Sequence, residues 1–211
     1  MPKLSKVLKT LSSDHNARIL DFGCGDGREL DRLRELGYTN VTGFDVAEYS
    51  PTMRIRESIV IEPDSIGFLE KNSSSFDVIF SRESVYYTPV HEQDRLWRAF
   101  YNSLTPGGKI IVIAFNGALS TSTWILQKDL AIKLAFNEFT LQSFPAKVGF
   151  IEIELEKVIP EHRKLIGKVI LSLILGYGEL HLRLRYLLER GLDNQNPSIF
   201  SKQIIMTARK K

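Results

Sequence analysis

Apolar residues recur along this chain in two rhythms, one helical and one extended. Leu4, Val7, Leu8 and Leu11 fall at i, i+3, i+4 and i+7, which predicts a helix within residues 3–13. Ile19, Leu20 and Phe22 then form a short, nearly continuous apolar run, the signature of a strand buried on both faces. Leu30, Leu33 and Leu36 restore the helical spacing over 26–36, and Gly37 follows as a C-terminal cap. Val41–Asp45, Ser58–Ile61, Phe76–Phe80 and Lys109–Phe115 predict further strands. Between the last two, Leu96, Phe100 and Leu104 define a helix from His91 to Leu104, closed by the turn Thr105-Pro106-Gly107-Gly108. Strands alternating with helices of this length predict an α/β fold, a doubly wound and mostly parallel sheet covered on both faces.

Beyond Phe115 the pattern is less regular. Residues 120–137 carry a helical spacing and 141–147 a short helical turn. Over 148–158, Ile151, Ile153 and Leu155 alternate with Glu152, Glu154 and Glu156, as in a half-exposed strand. A long helical stretch follows over 161–190, with a break expected at Gly176-Tyr177-Gly178, and 199–208 reads as the last strand. Nothing suggests a linker or repeat, so 1–211 is expected to be one domain: an N-terminal helix (1–16), a core (17–116) and a C-terminal half (117–211). That half carries a helical insert at 159–196, before the last of seven strands.

Composition narrows the class. The chain has 211 residues, 43% hydrophobic and 25% charged, as in a soluble globular protein. Its net charge of +3 is too small to point to nucleic acid. The single cysteine, Cys24, excludes an intrachain disulfide. The N-terminus lacks the apolar core of a secretory signal, and no apolar run reaches the length of a transmembrane helix, so a cytoplasmic protein is expected. The apolar run 165–175 and the basic residues Arg183, Arg185 and Arg190 nonetheless raise a peripheral lipid contact or a dimer contact through 159–196.

The candidate chemistry begins where the first strand ends. Asp21 is followed by glycines at 23, 25 and 27, and the next helix starts at once. Glycine lets the backbone turn and approach a ligand, and the helix N-terminus favours an anionic group. The dinucleotide fingerprint requires a small residue three positions after its second glycine, and here Arg28 stands there. That disfavours a nicotinamide-dependent oxidoreductase. The arrangement D-x-G-x-G-x-G resembles motif I of the class I S-adenosylmethionine-dependent methyltransferases, closely over 17–116 and loosely over 140–158 and 197–208.

The resemblance implies S-adenosyl-L-methionine as cofactor and a set of contacts. Asp21 would orient the methionine end, and the loop of Gly23, Cys24, Gly25 and Gly27 would pass beneath it. Asp45 would accept from the ribose hydroxyls, Val46 would cover the adenine, and Asp64 and Ser65 would meet its amino group. Asp64 equally suits a plain turn. Ser81 and Arg82, at the end of the fourth strand, would line the methyl end. Tyr87 stands where many relatives carry histidine, so Glu83, Tyr87 and His91 are the candidates for a catalytic group. Glu83 suits proton acceptance from a hydroxyl, or an ion pair with Arg82 or Arg95, and His91 suits a surface position. No metal is implied. The expected activity is methyl transfer to a small-molecule or lipid- or sugar-linked acceptor, at oxygen. A cofactor-binding module without catalysis is the alternative.

Overall fold

The strands are β1 (Ile19–Phe22), β2 (Val41–Asp45), β3 (Ile59–Ile61), β4 (Phe76–Arg82), β5 (Leu104–Phe115), β6 (Ile151–Lys157) and β7 (Gln203–Arg209). They form one sheet in the order β3-β2-β1-β4-β5-β7-β6. In this computed structural model the described residues are 4–47, 58–119, 128–158, 176–185, 187–188, 198–199 and 201–211. The five strands from β3 to β5 pair in parallel, whereas β7 is antiparallel to both β5 and β6. The chain order reverses between β1 and β4, which makes their carboxyl ends a topological switch point where ligands dock in open α/β sheets.

Alternate residues of each central strand feed opposite faces. Leu20, Phe22, Ile79, Ile110 and Val112 pack with helices α3 (Ser65–Lys71), α4 (Gln93–Ser103) and α5 (Glu138–Val148). Ile19, Val78, Phe80, Ile111 and Ile113 pack with α1 (Leu4–Lys9) and α2 (Arg28–Glu35). The covered, mostly parallel sheet expected from the alternation of elements is therefore present.

Several boundaries differ from the pattern for identifiable reasons. α1 stops at Lys9, and the Ser12 N–H goes instead to the Tyr38 hydroxyl, at 3.2 Å. β5 opens at Leu104, which pairs with Phe76, and an irregularity follows before Val78 pairs with Lys109. Residues 129–137 are not helical, and Lys133 and Leu134 donate to the Tyr86 carbonyl at 2.8 and 3.2 Å. The helix starts only at Glu138, behind a reciprocal capping box between Asn137 and Thr140.

In β6 a register shift at Glu152, with φ of 50°, turns Ile151 outward and out of the apolar row. β7 begins at Gln203 rather than at 199. The helix expected over 120–137 falls for 120–127 outside the described residues, as does most of the insert at 159–196. Residues 176–185 are helical straight through Gly176 and Gly178, without the expected break.

Candidate active site

The glycine loop is bolted to two neighbouring strands. Gly23 and Cys24 both donate their N–H to the carbonyl of Phe44 on β2, at 2.8 and 3.0 Å. Gly23 has φ of +76°, and a Cβ placed on it would lie 2.2 Å from the Cβ of Ser84. Gly25 has φ of +56° but opens onto free space, with no atom within 4 Å of where its Cβ would stand. The first glycine therefore serves the close approach of protein to protein. The second leaves room above the backbone.

Two buried carboxylates stand at the carboxyl ends of β1 and β2. Asp45 accepts from the N–H of Gly25 at 2.8 Å through Oδ2 and from that of Val46 at 2.7 Å through Oδ1. Asp21 is buried, and its Oδ2 has no hydrogen-bond partner. Burial, reinforced by the nearby Glu29 and Asp45, pushes its pKa up to about 8, with Arg82 opposing. A buried polar atom with no partner is rare and costly, so this oxygen points to a ligand.

A cavity of ≈ 230 Å³ opens beside it, with Asp21, Gly25, Glu29, Arg82 and Glu83 among its walls. Arg82 does not project freely into it. Its Nη1 donates to the buried Glu29 Oε1 at 2.5 Å, and Arg32 holds the other oxygen of the same carboxylate at 3.2 Å. Cys24 is buried, and desolvation raises its thiol pKa, so it packs beside Gly43 rather than presenting a thiolate.

The segment after β4 is held from below. Ser81 Oγ lies 2.6 Å from Ser84 Oγ, which donates to the Phe22 carbonyl at 2.9 Å, so Ser81 is the donor to Ser84. Glu83 sits at φ of 56°, an uncommon conformation for a side-chain-bearing residue. Its Oε1 accepts from Gln203 Nε2, at the start of β7, and lies 3.9 Å from Arg82. The alternative partner, Arg95, pairs with Glu70 instead, at 2.7 Å. Tyr86 is buried against Phe115. Tyr87 is partly exposed, and its hydroxyl donates to Asp129 at 2.8 Å.

His91 lies exposed on a single 3-10 turn. Asp64 is the N-cap of α3, accepting from the Gly67 N–H at 2.8 Å, as a turn residue would, with Ser65 beginning the helix behind it. Val46 stands exposed just past β2. Thus Asp21, the glycine loop, Asp45, Ser81 and Arg82 converge, Glu83 joins them, and His91 stands apart on the surface. Glu29, Ser84 and Gln203 belong to the same construction without any local signal in the sequence.

A model described as a methyltransferase domain matches residues 2–150. The chain belongs to the methyltransferase domain family. Phosphoethanolamine N-methyltransferase 3 of Arabidopsis thaliana is 26% identical over 153 residues, covering 69% of this chain and 30% of that protein. Phosphoethanolamine N-methyltransferase 2 of Caenorhabditis elegans is 24% identical over 164 residues, covering 70% of the chain and 36% of the relative. The match thus spans about a third of these curated relatives.

Among solved structures, a SAM-dependent methyltransferase from Archaeoglobus fulgidus superposes with a TM-score of 0.68 at 18% identity, covering 98% of this chain and 94% of that one. Phosphoethanolamine N-methyltransferase 2 of Haemonchus contortus, in complex with phosphomonomethylethanolamine and S-adenosylhomocysteine, gives 0.65 at 20% identity over 97% of this methyltransferase domain and 52% of that chain. The fold of the domain is thus that of these SAM-dependent methyltransferases.

Proposed function

We propose that this domain transfers a methyl group from S-adenosylmethionine to a small-molecule or lipid- or sugar-linked acceptor, at oxygen. The observation that carries the reading is the unpartnered Asp21 Oδ2, buried beside the open space above Gly25. Asp21 would accept from the methionyl ammonium, the group best suited to a buried, otherwise unbonded carboxyl oxygen. Asp45 Oδ2 accepts only from the Gly25 N–H and keeps acceptor capacity for a ribose hydroxyl, while Oδ1 accepts from Val46 at 2.7 Å and more weakly from Ala47 at 3.4 Å. Val46 offers an exposed apolar face to the adenine.

When bound, the sulfonium donor supplies an electrophilic methyl group with a good leaving group. Alignment of donor and acceptor is then the protein's main contribution, up to about 7–11 kcal/mol. Glu83, held by Gln203 at the edge of the cavity, would take the proton of an acceptor hydroxyl. Its neighbour Tyr87 would give the acceptor a flat apolar face with a polar tip. Several N-methylating relatives favour a second reading, an amine acceptor, and the same Glu83 carboxylate would attract its cationic form.

Transfer of labelled methyl to amino alcohols, their phosphates, sugars and lipid-linked sugars, with product identification by mass spectrometry, tests both readings. An O-methyl product supports the first, and an N-methyl product the second. No transfer to any acceptor in a complete cell extract contradicts both.

A further inference from the structure

Residues 176–185 form a helix that shows its apolar side outward. Tyr177, Leu180, Leu184, Leu187 and Leu188 share one face at helical spacing and are between 41% and 85% exposed. The opposite side is turned to the body, where Gly178, Glu179 and Leu182 are half-buried. Polar contacts hold it there. Glu179 accepts from Lys157 at 2.9 Å and from Arg183 at 2.9 Å, and Arg183 also reaches the Ser198 carbonyl at 3.0 Å. Ser198 and Ile199 are in turn clamped by the buried Glu138, which accepts both N–H groups at 2.8 and 2.7 Å. An ordinary surface helix has the reverse arrangement, apolar inward and charged outward.

We infer that this face docks on an anionic lipid surface. Arg183 and Arg185 flank the leucine stripe, with Arg183 also paired to Glu179, and Glu179, the sole acid among the described helical residues here, faces the body. That combination of an apolar stripe, a basic border and an aromatic residue with a polar tip is the chemistry of an interfacial helix. A two-fold contact between copies would place one basic border near another, which disfavours self-association. No helix among the described residues is long and apolar enough to cross a membrane. The helix hangs from the end of β6, and Gln203, at the adjoining end of β7, meets Glu83 at the active site. Docking would thus turn the acceptor side of the cleft toward the lipid.

Sedimentation with mixed phosphatidylcholine–phosphatidylglycerol vesicles and with phosphatidylcholine alone tests the inference. The wild-type chain should partition to the mixed vesicles, less to the neutral ones, and less again at high salt. Leu180→Glu with Leu184→Glu should cut partitioning at least about tenfold while S-adenosylhomocysteine affinity stays unchanged. A Tyr177→Trp variant reads the same contact without altering the leucines, and its emission should shift to the blue on the mixed vesicles. Wild-type protein that stays in the supernatant with both compositions overturns the inference. So does a leucine double variant that binds vesicles as wild type, or one whose only change is from dimer to monomer.

Discussion

Gly23 and Ser84 occupy one space: a Cβ on the glycine would meet that of the serine at 2.2 Å. Ser84 is fixed in turn by the Phe22 carbonyl and by Ser81, so it has little freedom to retreat. Gly23→Ala therefore combines a clash with a left-handed backbone and should lower stability by about 2 kcal/mol or more. Gly25→Ala carries only the backbone cost, about 1–2 kcal/mol, because nothing occupies its side-chain space. It should retain the fold but lose cofactor affinity. Urea unfolding beside S-adenosylhomocysteine titration separates the two, and equal stability losses with equal affinities contradict the assignment.

Asp21 makes a prediction about pH. Its pKa is raised in the folded protein to about 8, from an ordinary 3.8, chiefly by burial. The folded state then holds the proton more tightly than the unfolded one. The associated stability is complete below the ordinary value and is lost as pH rises toward 8. Asp21→Asn should flatten this part of the ligand-free stability profile between pH 5 and 8, a window inside those two values. A variant whose slope matches wild type would show that Asp21 is not held protonated.

Gln93 props the segment that carries Glu83 and Tyr87. Its fully buried amide donates to the carbonyls of Val85 and Thr88, both at 2.9 Å, and accepts from Trp97 Nε1 at 3.2 Å. Gln93→Ala removes all three bonds, leaving the Thr88 carbonyl and Trp97 Nε1 without this partner and Val85 with only the 3.4 Å bond from the Thr88 N–H, and should cost about 2–4 kcal/mol. Turnover should fall further than cofactor affinity, because the glycine loop rests on other contacts. A larger loss of S-adenosylhomocysteine affinity than of turnover would contradict this placement.

Those contacts also show what the sequence could and could not reveal. The strand from Val41 to Asp45 and the glycine loop were legible because each depends on local pattern: an apolar run, an acid and the glycine spacing. Asp64 was legible only as two options, and its bond to Gly67 adds a helix-capping role. Glu83 and Gln203 are 120 residues apart, and Glu29 and Arg82 are 53 apart, so no local periodicity announces either pair. The start of α5 was missed because the Asn137–Thr140 capping box, rather than apolar spacing, sets it. Residues 129–137 are not helical because the N–H groups of Lys133 and Leu134 serve the Tyr86 carbonyl, and those of Ala131 and Ile132 turn back to Asp129.

Calorimetric titration of S-adenosylhomocysteine into the wild-type domain and Asp45→Ala addresses the cofactor site itself. Asp45 joins the glycine loop to the end of β2 and offers its remaining acceptor capacity toward the cofactor. Hydrogen bonds to a charged group are worth about 1.5–3 kcal/mol, so removal should weaken binding at least about tenfold, with one site per chain in the wild type. Equal dissociation constants for the two proteins, or no binding to the wild type, would contradict the site described.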